Sequence, residues 1–419
     1  MQKFNNLNAW LSWLESLKIT RNAYVAKQQV TEVARRLGLL PFPTKVITVG
    51  GTNGKGSCVA LLESIYHVAG YKVGALTSPH LLSFNERIKI QRGCVETQKI
   101  LAAFDLIDQA RGDIDLIYFQ FTFLAALLIF KDANLDLIIL EVGIGGKYDA
   151  TNIIDADLAI ISSIALDHCE ILGNTREQIA ADKAGIMRSN KPIICGDFNP
   201  PKDIFDSAKK IHAKLFVQGK DFHFETTNHY WNWFSKLKSF ENLPLLTNII
   251  LQNASTVLMA VTSFNEIMPI SDQNILQGLR DTVILGRQQL ITIDGKKVLL
   301  DVAHNPAAAE LLYGKLRSLN IRGKKYAIVG FMQEKDVKGT VIKFVDDIDQ
   351  WFVTELPSPR SAKTKQLLVA LGEVNAKNIQ TRAKPLNALQ EALQQAEIED
   401  IIITFGSFLL VAEMLACIT

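Results

Sequence analysis

A glycine-rich turn between a β-branched strand and an amphipathic helix constrains this chain more than any other feature. The turn reads Gly-Thr-Asn-Gly-Lys-Gly-Ser over residues 51–57, behind the apolar run 45–49 and ahead of a predicted helix at 57–69. Glycines let backbone amides approach phosphate oxygens, the helix N-terminus adds partial positive charge, and Lys55 adds a point charge. We therefore predict a nucleoside triphosphate site in an α/β sheet.

The spacing of this turn differs from the ordinary GxxxxGK[ST] pattern. Val49 stands where the first glycine would be, and Gly56 separates Lys55 from the hydroxyl of Ser57. This narrower variant indicates a particular kind of ATPase. The alternative is a glycine turn that binds nothing, but a lysine inside such a turn has little structural purpose.

Composition limits the classes of partner. A chain of 419 residues with 48% hydrophobic and 21% charged residues is typical of a soluble two-domain protein. Because the net charge is only +2 and the basic residues are dispersed, nothing indicates a nucleic-acid or membrane partner. The five cysteines form no CxxC pair and the N-terminal segment has no apolar signal core, so we expect a cytoplasmic protein without a zinc site. No long apolar heptad pattern is present, and we expect a monomer.

Short β-branched runs alternate with longer amphipathic segments, which predicts mostly parallel sheets covered by helices. The predicted strands of the first domain are 45–49, 72–77, 136–141, 158–163 and 191–195, and those of the second are 289–293, 297–301, 325–330, 349–353 and 400–404. Aromatic and polar residues alternate over 216–243, which predicts an antiparallel flap on the first domain, and a helix at 248–264 closes that domain. We place the domains at 1–287 and 288–419.

Three candidate residues follow from the ends of these elements. Glu141 ends a buried strand and is followed by a glycine-rich loop, where a hard cation would find an oxygen ligand. His168 follows the next strand, where it would ligate a metal or orient a carboxylate. Lys183 lies late in a helix. The competing interpretations are a strand that happens to end in Glu, a structural histidine and a solvated helix end.

The second predicted domain has a similar strand, turn and helix start at 298–306. Asp301 would accept hydrogen bonds from a ribose, and His304 would approach a phosphate, although a plain helix cap is the competing account. The sequence Gly-Ser-Phe at 406–408 provides another turn at which the backbone would approach a ligand.

Taken together, these segments resemble the folylpolyglutamate synthases, relatives of the Mur amide ligases, and among them the bacterial bifunctional form that is also a dihydrofolate synthase. The resemblance covers nearly the whole chain in order. Its segments are GTNGKGS at 51–57, SPHL at 78–81, ERI at 86–88, LEVGIGGKYDATN at 140–152, ALDHCEILGNT at 165–175, DKAGI at 182–186, DVAHNP at 301–306 and GSF at 406–408.

The resemblance implies a Mur-ligase-like fold, in which a phosphate-loop domain precedes a smaller Rossmann-like domain. It also implies ATP-dependent amide synthesis. A carboxylate of dihydropteroate or of a reduced folate such as tetrahydrofolate would attack the γ-phosphate of ATP, and the amine of L-glutamate would then displace phosphate from the acyl phosphate. Such a reaction needs a phosphate clamp, Mg²⁺ to neutralise charge, and exclusion of water.

The family's site residues carry over to matching positions of this chain. ATP would be held by Gly51, Thr52, Asn53, Gly54, Lys55, Gly56, Ser57, Asn253, Arg287 and Asp301. Magnesium would be held by Ser78, Glu141 and His168, and Lys183 matches a lysine that becomes carbamylated. The groups expected to act in catalysis are Lys55, His168, Lys183 and His304. The pterin-bearing acceptor would be lined by Ala23, Tyr24, Val25, Ile117, Tyr118, Phe119, Gln120, Tyr148, Asp149 and Ala150.

The chain also departs from the family pattern. The family's second helix opens with an Asp-Leu-Gly-Leu-Glu-Arg-like segment, where this chain has Tyr-Val-Ala-Lys-Gln-Gln at 24–29. Gln120 stands where Glu is usual, and Asp182 replaces Glu. Leu285 replaces Pro, and Glu334 replaces Asp. The acceptor-facing positions have therefore changed more than the ATP and metal positions.

These departures motivate two other hypotheses. One is a Mur-like ligase that joins glutamate or another amino acid to a different carboxylate. The other is a regulatory protein that binds a nucleotide and performs no ligation, against which the retention of His168 and Lys183 counts.

Overall fold

The computed structural model describes residues 3–17, 22–245 and 248–417, and its internal contacts divide the chain into two units. The first comprises the described residues up to Ala165 together with Cys169–Thr282. The second comprises Leu166–His168 and the described residues from Val283 onward. Among the described residues, no helix combines the length and apolar character needed to cross a membrane.

The first unit contains a mixed sheet whose described strands number eight. They are β1 (Lys45–Gly50), β2 (Val73–Leu76), β3 (Ile88–Ile90), β4 (Gly93–Cys94), β5 (Leu137–Glu141), β6 (Leu158–Ile161), β7 (Pro192–Cys195) and β8 (Lys214–Val217). Their spatial order is β4-β3-β2-β5-β1-β6-β7-β8, and every neighbouring pair is parallel except β2–β3 and β3–β4. Helices cover the sheet, so the central strands are buried except for Lys45 at the start of β1, and they are mostly apolar.

The helices of the first unit supply the rest of its core. They are α1 (Leu7–Ser16), α2 (Ala23–Arg36), α3 (Lys55–Val68), α4 (Thr97–Arg111), α5 (Tyr118–Asp132), α6 (Cys169–Leu172), α7 (Arg176–Lys183), α8 (Lys202–Lys210), α9 (Leu251–Phe264) and α10 (Asp272–Asp281). Helix α5 is buried on most of its surface, and its Phe121 ring packs against Phe104, which in turn contacts Trp10. This packing fixes the start of α5, where several of the predicted acceptor residues lie.

The predicted flap forms an antiparallel sheet, but it begins later than the sequence indicated. Its strands are β9 (Phe222–Thr226), β10 (Tyr230–Ser235) and β11 (Ser239–Pro244). Residues 216–217, which we predicted as part of it, pair in β8 with β7 of the large sheet instead. The alternation of aromatic and polar residues therefore covers strands of two sheets, the large sheet and the flap. The indole of Trp233 anchors the flap to α9 by donating to Ser255 Oγ at 3.1 Å.

The second unit is a smaller α/β sheet. Its described strands are β12 (Gln289–Ile293), β13 (Lys296–Leu300), β14 (Lys325–Val329), β15 (Gln350–Thr354), β16 (Ile379–Arg382) and β17 (Ile401–Phe405), and its helices are α11 (Pro306–Ser318), α12 (Val337–Val341), α13 (Thr364–Glu373), α14 (Pro385–Gln395) and α15 (Phe408–Leu415). The spatial order is β12-β13-β17-β14-β15-β16, with only the β12–β13 hairpin antiparallel among these described strands.

The chain passes from one unit to the other between Thr282 and Val283, five residues before the boundary that we predicted. The backbone shows why the intervening residues join the second unit. Val302 N–H donates to the Gly286 carbonyl at 3.0 Å, and the Gly286 N–H donates to the side chain of Gln289 at 2.8 Å.

Candidate active site

The glycine turn lies between β1 and α3, and two of its glycines adopt backbone conformations that other residues rarely take. Gly51 has φ +132° and Gly54 has φ +89°. A Cβ at Gly51 would lie 2.0 Å from Ser162 Oγ, and one at Gly54 would lie 2.4 Å from Asn253 Oδ1. Both positions therefore require glycine, and the Asn253 side chain lies against the turn.

Two serines at the end of β6 hold the turn in place. Ser162 Oγ and Ser163 Oγ both donate to the Asn53 carbonyl, at 2.7 and 3.0 Å, and Thr52 N–H donates to the Ser163 carbonyl at 2.7 Å. Since β1 and β6 are parallel neighbours, both strands end at the same edge of the sheet. The sequence analysis did not assign these serines, although their position at the end of a predicted strand was a usable signal.

Lys55 opens α3, two residues earlier than the predicted helix start. Its ammonium group donates to the carbonyls of Gly51 and Thr52, each at 3.2 Å, so it folds back over the turn. Ser57 is buried in the first turn of the same helix, and its side chain bears a hydroxyl group. The turn therefore brings together backbone amides, a cation and a hydroxyl group, which are the groups that bind a triphosphate.

Glu141 lies at the end of β5, directly beside β1, and its carboxylate is almost fully buried. Ser78 N–H donates to Glu141 Oε2 at 2.9 Å. A Cβ at Gly56 would lie only 3.7 Å from the same oxygen. The structure thus brings two of the predicted metal positions to the phosphate turn. Burial raises the pKa of the Cys58 thiol to about 12, and the nearby charge of Glu141 adds to this shift, so the thiol stays protonated.

Lys183 ends α7 and is buried. Its ammonium group donates to the Gly51 carbonyl at 2.8 Å, which places it beside the phosphate turn. The loop after β5 packs closely against it, since a Cβ at Gly146 would lie 2.9 Å from the Lys183 Cα. The predicted alternative of a solvated helix end is therefore wrong.

The predicted acceptor residues fall into two groups, of which the first is exposed. Tyr24 lies at the start of α2 with 56% of its surface exposed, and its ring meets the Tyr148 ring edge-on at 6.4 Å. Ala23 and Val25 are also exposed beside it. A groove of about 480 Å³ lies alongside and is lined by Tyr24, Lys27, Gln28, Thr31, Glu32, Arg35, Lys147 and Tyr148.

The second group lies at the start of α5 and in the loop after β5. The Arg87 guanidinium group lies 5.3 Å from the centre of the Tyr118 ring, and the Phe119 ring would lie 3.1 Å from a Cβ at Gly143. Ile117 precedes the helix as its N-cap residue, Ala150 is buried, and the Gln120 amide is buried as well. Arg87 was quoted in the sequence analysis without a role.

Asp149, the remaining predicted acceptor residue, is fully engaged with its own loop. Its carboxylate accepts hydrogen bonds from the N–H groups of Gly143, Ile144 and Thr151, and from the Thr151 hydroxyl group at 2.6 Å. Burial raises the pKa of Asp149, although these hydrogen bonds oppose the shift. The contacts show a residue that shapes the loop bearing Tyr148.

In the second unit, the Asp167 carboxylate is the centre of a polar cluster. It accepts from Lys335 Nζ at 2.7 Å and from Asn305 Nδ2 at 3.1 Å, and lies 3.3 Å from His304 Nε2. Burial alone would raise the pKa of Asp167, but the hydrogen bond to His304 and the charge of Lys335 hold it far below its ordinary value. His304 Nδ1 also faces the Val302 carbonyl at 2.9 Å. The sequence analysis assigned no role to Asp167, Asn305 or Lys335.

The cluster explains why Leu166–His168 group with the second unit. His168, the third predicted metal ligand, directly follows Asp167, and its N–H donates to Asp167 Oδ1 at 2.9 Å. The structure therefore brings Ser78 and Glu141 together in the first unit and describes His168 in the second.

Asp301 and Arg287 lie in the same unit. The Asp301 carboxylate accepts from the N–H groups of Gln288 at 2.8 Å and Ala303 at 2.7 Å, and burial raises its pKa despite the nearby charge of Arg287. The Arg287 guanidinium group lies 4.9 Å from the centre of the Phe408 ring. The turn at 406–408 and the strand end at 301 are thus neighbours.

Comparison with known proteins agrees with this geometry. Residues 286–408 match the model of the family described as "Mur ligase, glutamate ligase domain". The chain is 40% identical over 417 residues to the dihydrofolate synthase/folylpolyglutamate synthase of Escherichia coli (strain K12), covering 100% of this chain and 96% of that protein. It is 38% identical to the protein of the same name from Haemophilus influenzae, covering 98% and 97%.

Solved structures give the same result. The E. coli FolC in complex with DHPP and ADP superposes with a TM-score of 0.94 at 40% identity, covering 100% of this chain and 99% of that one. A bifunctional folylpolyglutamate synthase/dihydrofolate synthase with Mn, AMPPNP and L-glutamate bound gives 0.92 at 39% identity, with the same coverage. The Mur-ligase-like fold that we predicted is confirmed. The chain belongs to the dihydrofolate synthase/folylpolyglutamate synthase family of ATP-dependent ligases.

Proposed function

We propose that this protein adds L-glutamate to dihydropteroate, giving dihydrofolate, and to tetrahydrofolate, giving polyglutamates, with ATP as co-substrate. The observation that carries the proposal is the buried Glu141 carboxylate, which Ser78 N–H holds beside the phosphate turn. Family membership supplies the reaction class, since relatives of 40% and 38% identity bear both activities in their names.

The phosphate turn would bind the triphosphate of ATP. Its amides and Lys55 supply positive charge, and Ser162 and Ser163 keep the turn in one conformation. A turn that is already held costs little to order when the nucleotide binds, so more of the binding energy is available for positioning the γ-phosphate. Asn253, Arg287 and Asp301 are the further ATP contacts that we propose.

The donor set beside the turn fits a hard divalent cation. Glu141 offers a buried carboxylate and Ser78 a hydroxyl group, and oxygen ligands of this kind suit Mg²⁺, which keeps several waters of its own. Among the described residues, no cluster of three or more His, Cys, Asp or Glu side chains exists that would form an all-protein cage. When bound with ATP, Mg²⁺ neutralises the charge that develops on the phosphates. We propose His168 as the further ligand.

Lys183 poses a charge problem that carbamylation would solve. Its ammonium group donates a hydrogen bond to the Gly51 carbonyl, next to the region that would hold a metal and phosphates. If the neutral Nζ amine adds to the carbon of CO₂ and loses a proton, the side chain becomes an anionic carbamate. A buried positive charge would then be replaced by oxygen ligands that face the cation.

The proposed reaction has two steps. An acceptor carboxylate oxygen attacks the γ-phosphorus and ADP leaves, so that an acyl phosphate forms. The neutral amine of L-glutamate then attacks the acyl carbon, and phosphate leaves with the amine's proton lost to solvent. Asp167 remains ionised and holds His304 and Lys335 in place. The ammonium charge of Lys335 would attract anionic reactants there.

The test measures ADP release with magnesium-ATP and L-glutamate, with either dihydropteroate or tetrahydrofolate as acceptor, and weighs the products by mass spectrometry. We expect a glutamyl mass increment on both acceptors. An increment on tetrahydrofolate alone would refute the dihydropteroate activity. If neither acceptor gains a glutamyl mass and ATP hydrolysis is unaffected by either acceptor, the Mur-like or regulatory hypothesis would be favoured.

A further inference from the structure

Gln120 is buried in the first turn of α5, and its amide makes two hydrogen bonds to backbone groups. Its Oε1 accepts from the Ile117 N–H at 3.0 Å, which satisfies a free donor at the start of the helix. Its Nε2 donates to the Ala26 carbonyl in α2 at 2.8 Å. The residue is only 4% exposed, so its amide is buried within the protein.

The second of these bonds joins two helices that are 94 residues apart in the chain. Ala26 directly follows Ala23–Val25, the exposed start of α2 where Tyr24 meets Tyr148. Fixing the Ala26 carbonyl therefore fixes the position of Tyr24 relative to α5 and to the loop after β5. A hydrogen bond from Lys27 Nζ to the Lys147 carbonyl, at 3.0 Å, joins α2 to the loop after β5.

A glutamate at this position, which the family resemblance implies, could not make both bonds at neutral pH. An amide has an acceptor oxygen and a donor nitrogen, whereas an ionised carboxylate only accepts. With Glu at 120, the bond from Ile117 N–H would remain and the Ala26 carbonyl would face a negatively charged oxygen. In a buried site this repulsion is costly, because water cannot screen it.

We infer that Gln120 is a positioning residue that sets how the protein holds its pterin-bearing acceptor. The two departures from the family pattern, at 24–29 and at 120, are one structural change, because the residue at 120 bonds to the backbone of the segment at 24–29. This inference rests on the proposed function, in which Ala23–Val25 and Tyr148 face the acceptor.

The test is a cycle of four proteins: the natural chain, Gln120→Glu, a family-like segment, and both together. The family-like segment carries Tyr24→Asp, Val25→Leu, Ala26→Gly, Lys27→Leu, Gln28→Glu and Gln29→Arg. For Gln120→Glu alone we expect the KM for dihydropteroate to rise about tenfold, which corresponds to about 1.4 kcal/mol, with the KM for ATP and kcat within about twofold. The family-like segment alone should raise the same KM about tenfold.

The combined protein decides the inference. Coupled positions predict a KM within about threefold of the natural chain, whereas independent positions predict an increase of about a hundredfold. The hundredfold result would overturn the inference while leaving the acceptor site intact. An unchanged KM in the segment variant would instead refute the proposed acceptor site, so the two failures are distinguishable.

A purely structural role for Gln120 would show in a different readout. With such a role, Gln120→Glu would have a lower midpoint of thermal unfolding and an unchanged KM for dihydropteroate. That result would overturn the inference. If Gln120→Glu does not fold, Gln120→Met replaces it, since Met is neutral and of similar length but makes neither bond. We then expect a raised KM together with faster hydrogen exchange in the first turn of α2. An unchanged KM in this variant likewise overturns the inference.

Discussion

The first unit has a phosphate end at the turn 51–57 and a proposed acceptor end, and the two ends are built in different ways. At the phosphate end, the functional groups follow the ends of neighbouring strands. The turn follows β1, Glu141 ends β5, and Ser162 and Ser163 follow β6. At the acceptor end, the predicted residues come from three distant segments, at 23–25, 117–120 and 148–150. Contacts between side chains and backbone hold these segments together.

The difference fits the resemblance, which implies that the chain departs from the family pattern more at 24–29 and 120 than at the phosphate turn. Parallel strands of one sheet deliver their ends to the same edge whatever the side chains on distant helices are, and Gly51 and Gly54 admit no other residue. The start of α2 depends on the amide of Gln120, which another pairing could replace. Changes at the acceptor end can therefore occur without disturbing ATP binding.

Removing the amine of Lys183 should give the largest effect and tests the phosphate end. We expect Lys183→Ala to lower kcat by at least about 10²-fold to 10³-fold, because a charged group facing the phosphates is lost, with ATP-analogue affinity changed only a few-fold. Steady-state ADP release and equilibrium binding measure the two quantities. Lys191→Ala is the control, since Lys191 forms a partly exposed ion pair with Asp157. Full activity in Lys183→Ala would rule out the carbamate.

Neutralising Glu141 should give the next largest effect. Glu141→Gln keeps an oxygen that accepts from Ser78 N–H but removes the negative charge that we propose binds magnesium. We expect the magnesium concentration for half-maximal activity to rise at least about tenfold. A magnesium titration at saturating ATP measures it. Glu32→Gln on the exposed face of α2 should leave the titration unchanged, and an unchanged titration in Glu141→Gln would contradict the assignment.

Removing the Tyr148 ring should affect the acceptor end alone. An aromatic contact contributes about 0.5–1.5 kcal/mol, so we expect Tyr148→Leu to raise the KM for dihydropteroate about 2-fold to 10-fold while the KM for ATP stays the same. Phe198→Leu is the matched control, because Phe198 is an exposed aromatic residue packed against Phe224 of the flap. Equal increases in both KM values would show that the two ends are not separable.

The sequence predicted the parts of this site that depend on strand ends and glycines. The apolar runs located the central strands, and the glycine spacing located the turn. Alternation placed a flap in the right region but misassigned residues 216–217, because a strand of the large sheet precedes the flap with the same period. Periodicity reports which face is buried and carries no information about the partner strand.

Other features depend on tertiary contacts that no local pattern encodes. Neither the bond from Gln120 to the Ala26 carbonyl nor that from Lys183 to the Gly51 carbonyl follows from residue spacing, since the partners lie 94 and 132 positions apart. The contact of Asp167 with Lys335 spans 168 positions and assigns Leu166–His168 to the second unit. The site residues could be listed from the family resemblance, but their grouping required the fold.

The smallest effect is expected at Glu63, which lies on the same helix as Lys55 but takes no part in the proposed chemistry. Its side chain is 5% exposed, and its Oε1 has no hydrogen-bond partner among the described residues. Burial raises the pKa of Glu63 above 4.5, and this outweighs the attraction of Lys89 and Arg92 and the smaller effect of His67. The folded state therefore disfavours the ionised form.

The sign of the pH dependence follows. Above pH 4.5 the unfolded chain loses this proton before the folded chain does, so the Glu63 contribution to the free energy of unfolding falls as pH rises towards the folded pKa.

The substitution Glu63→Gln removes that loss of stability. We expect it to raise the free energy of unfolding at pH 7 by about 1 kcal/mol, with the gain vanishing near pH 4 and kcat unchanged. Urea unfolding at both pH values measures it, and a lower stability at pH 7 would contradict the prediction. An altered kcat would show that the phosphate end extends along α3 beyond its first turn.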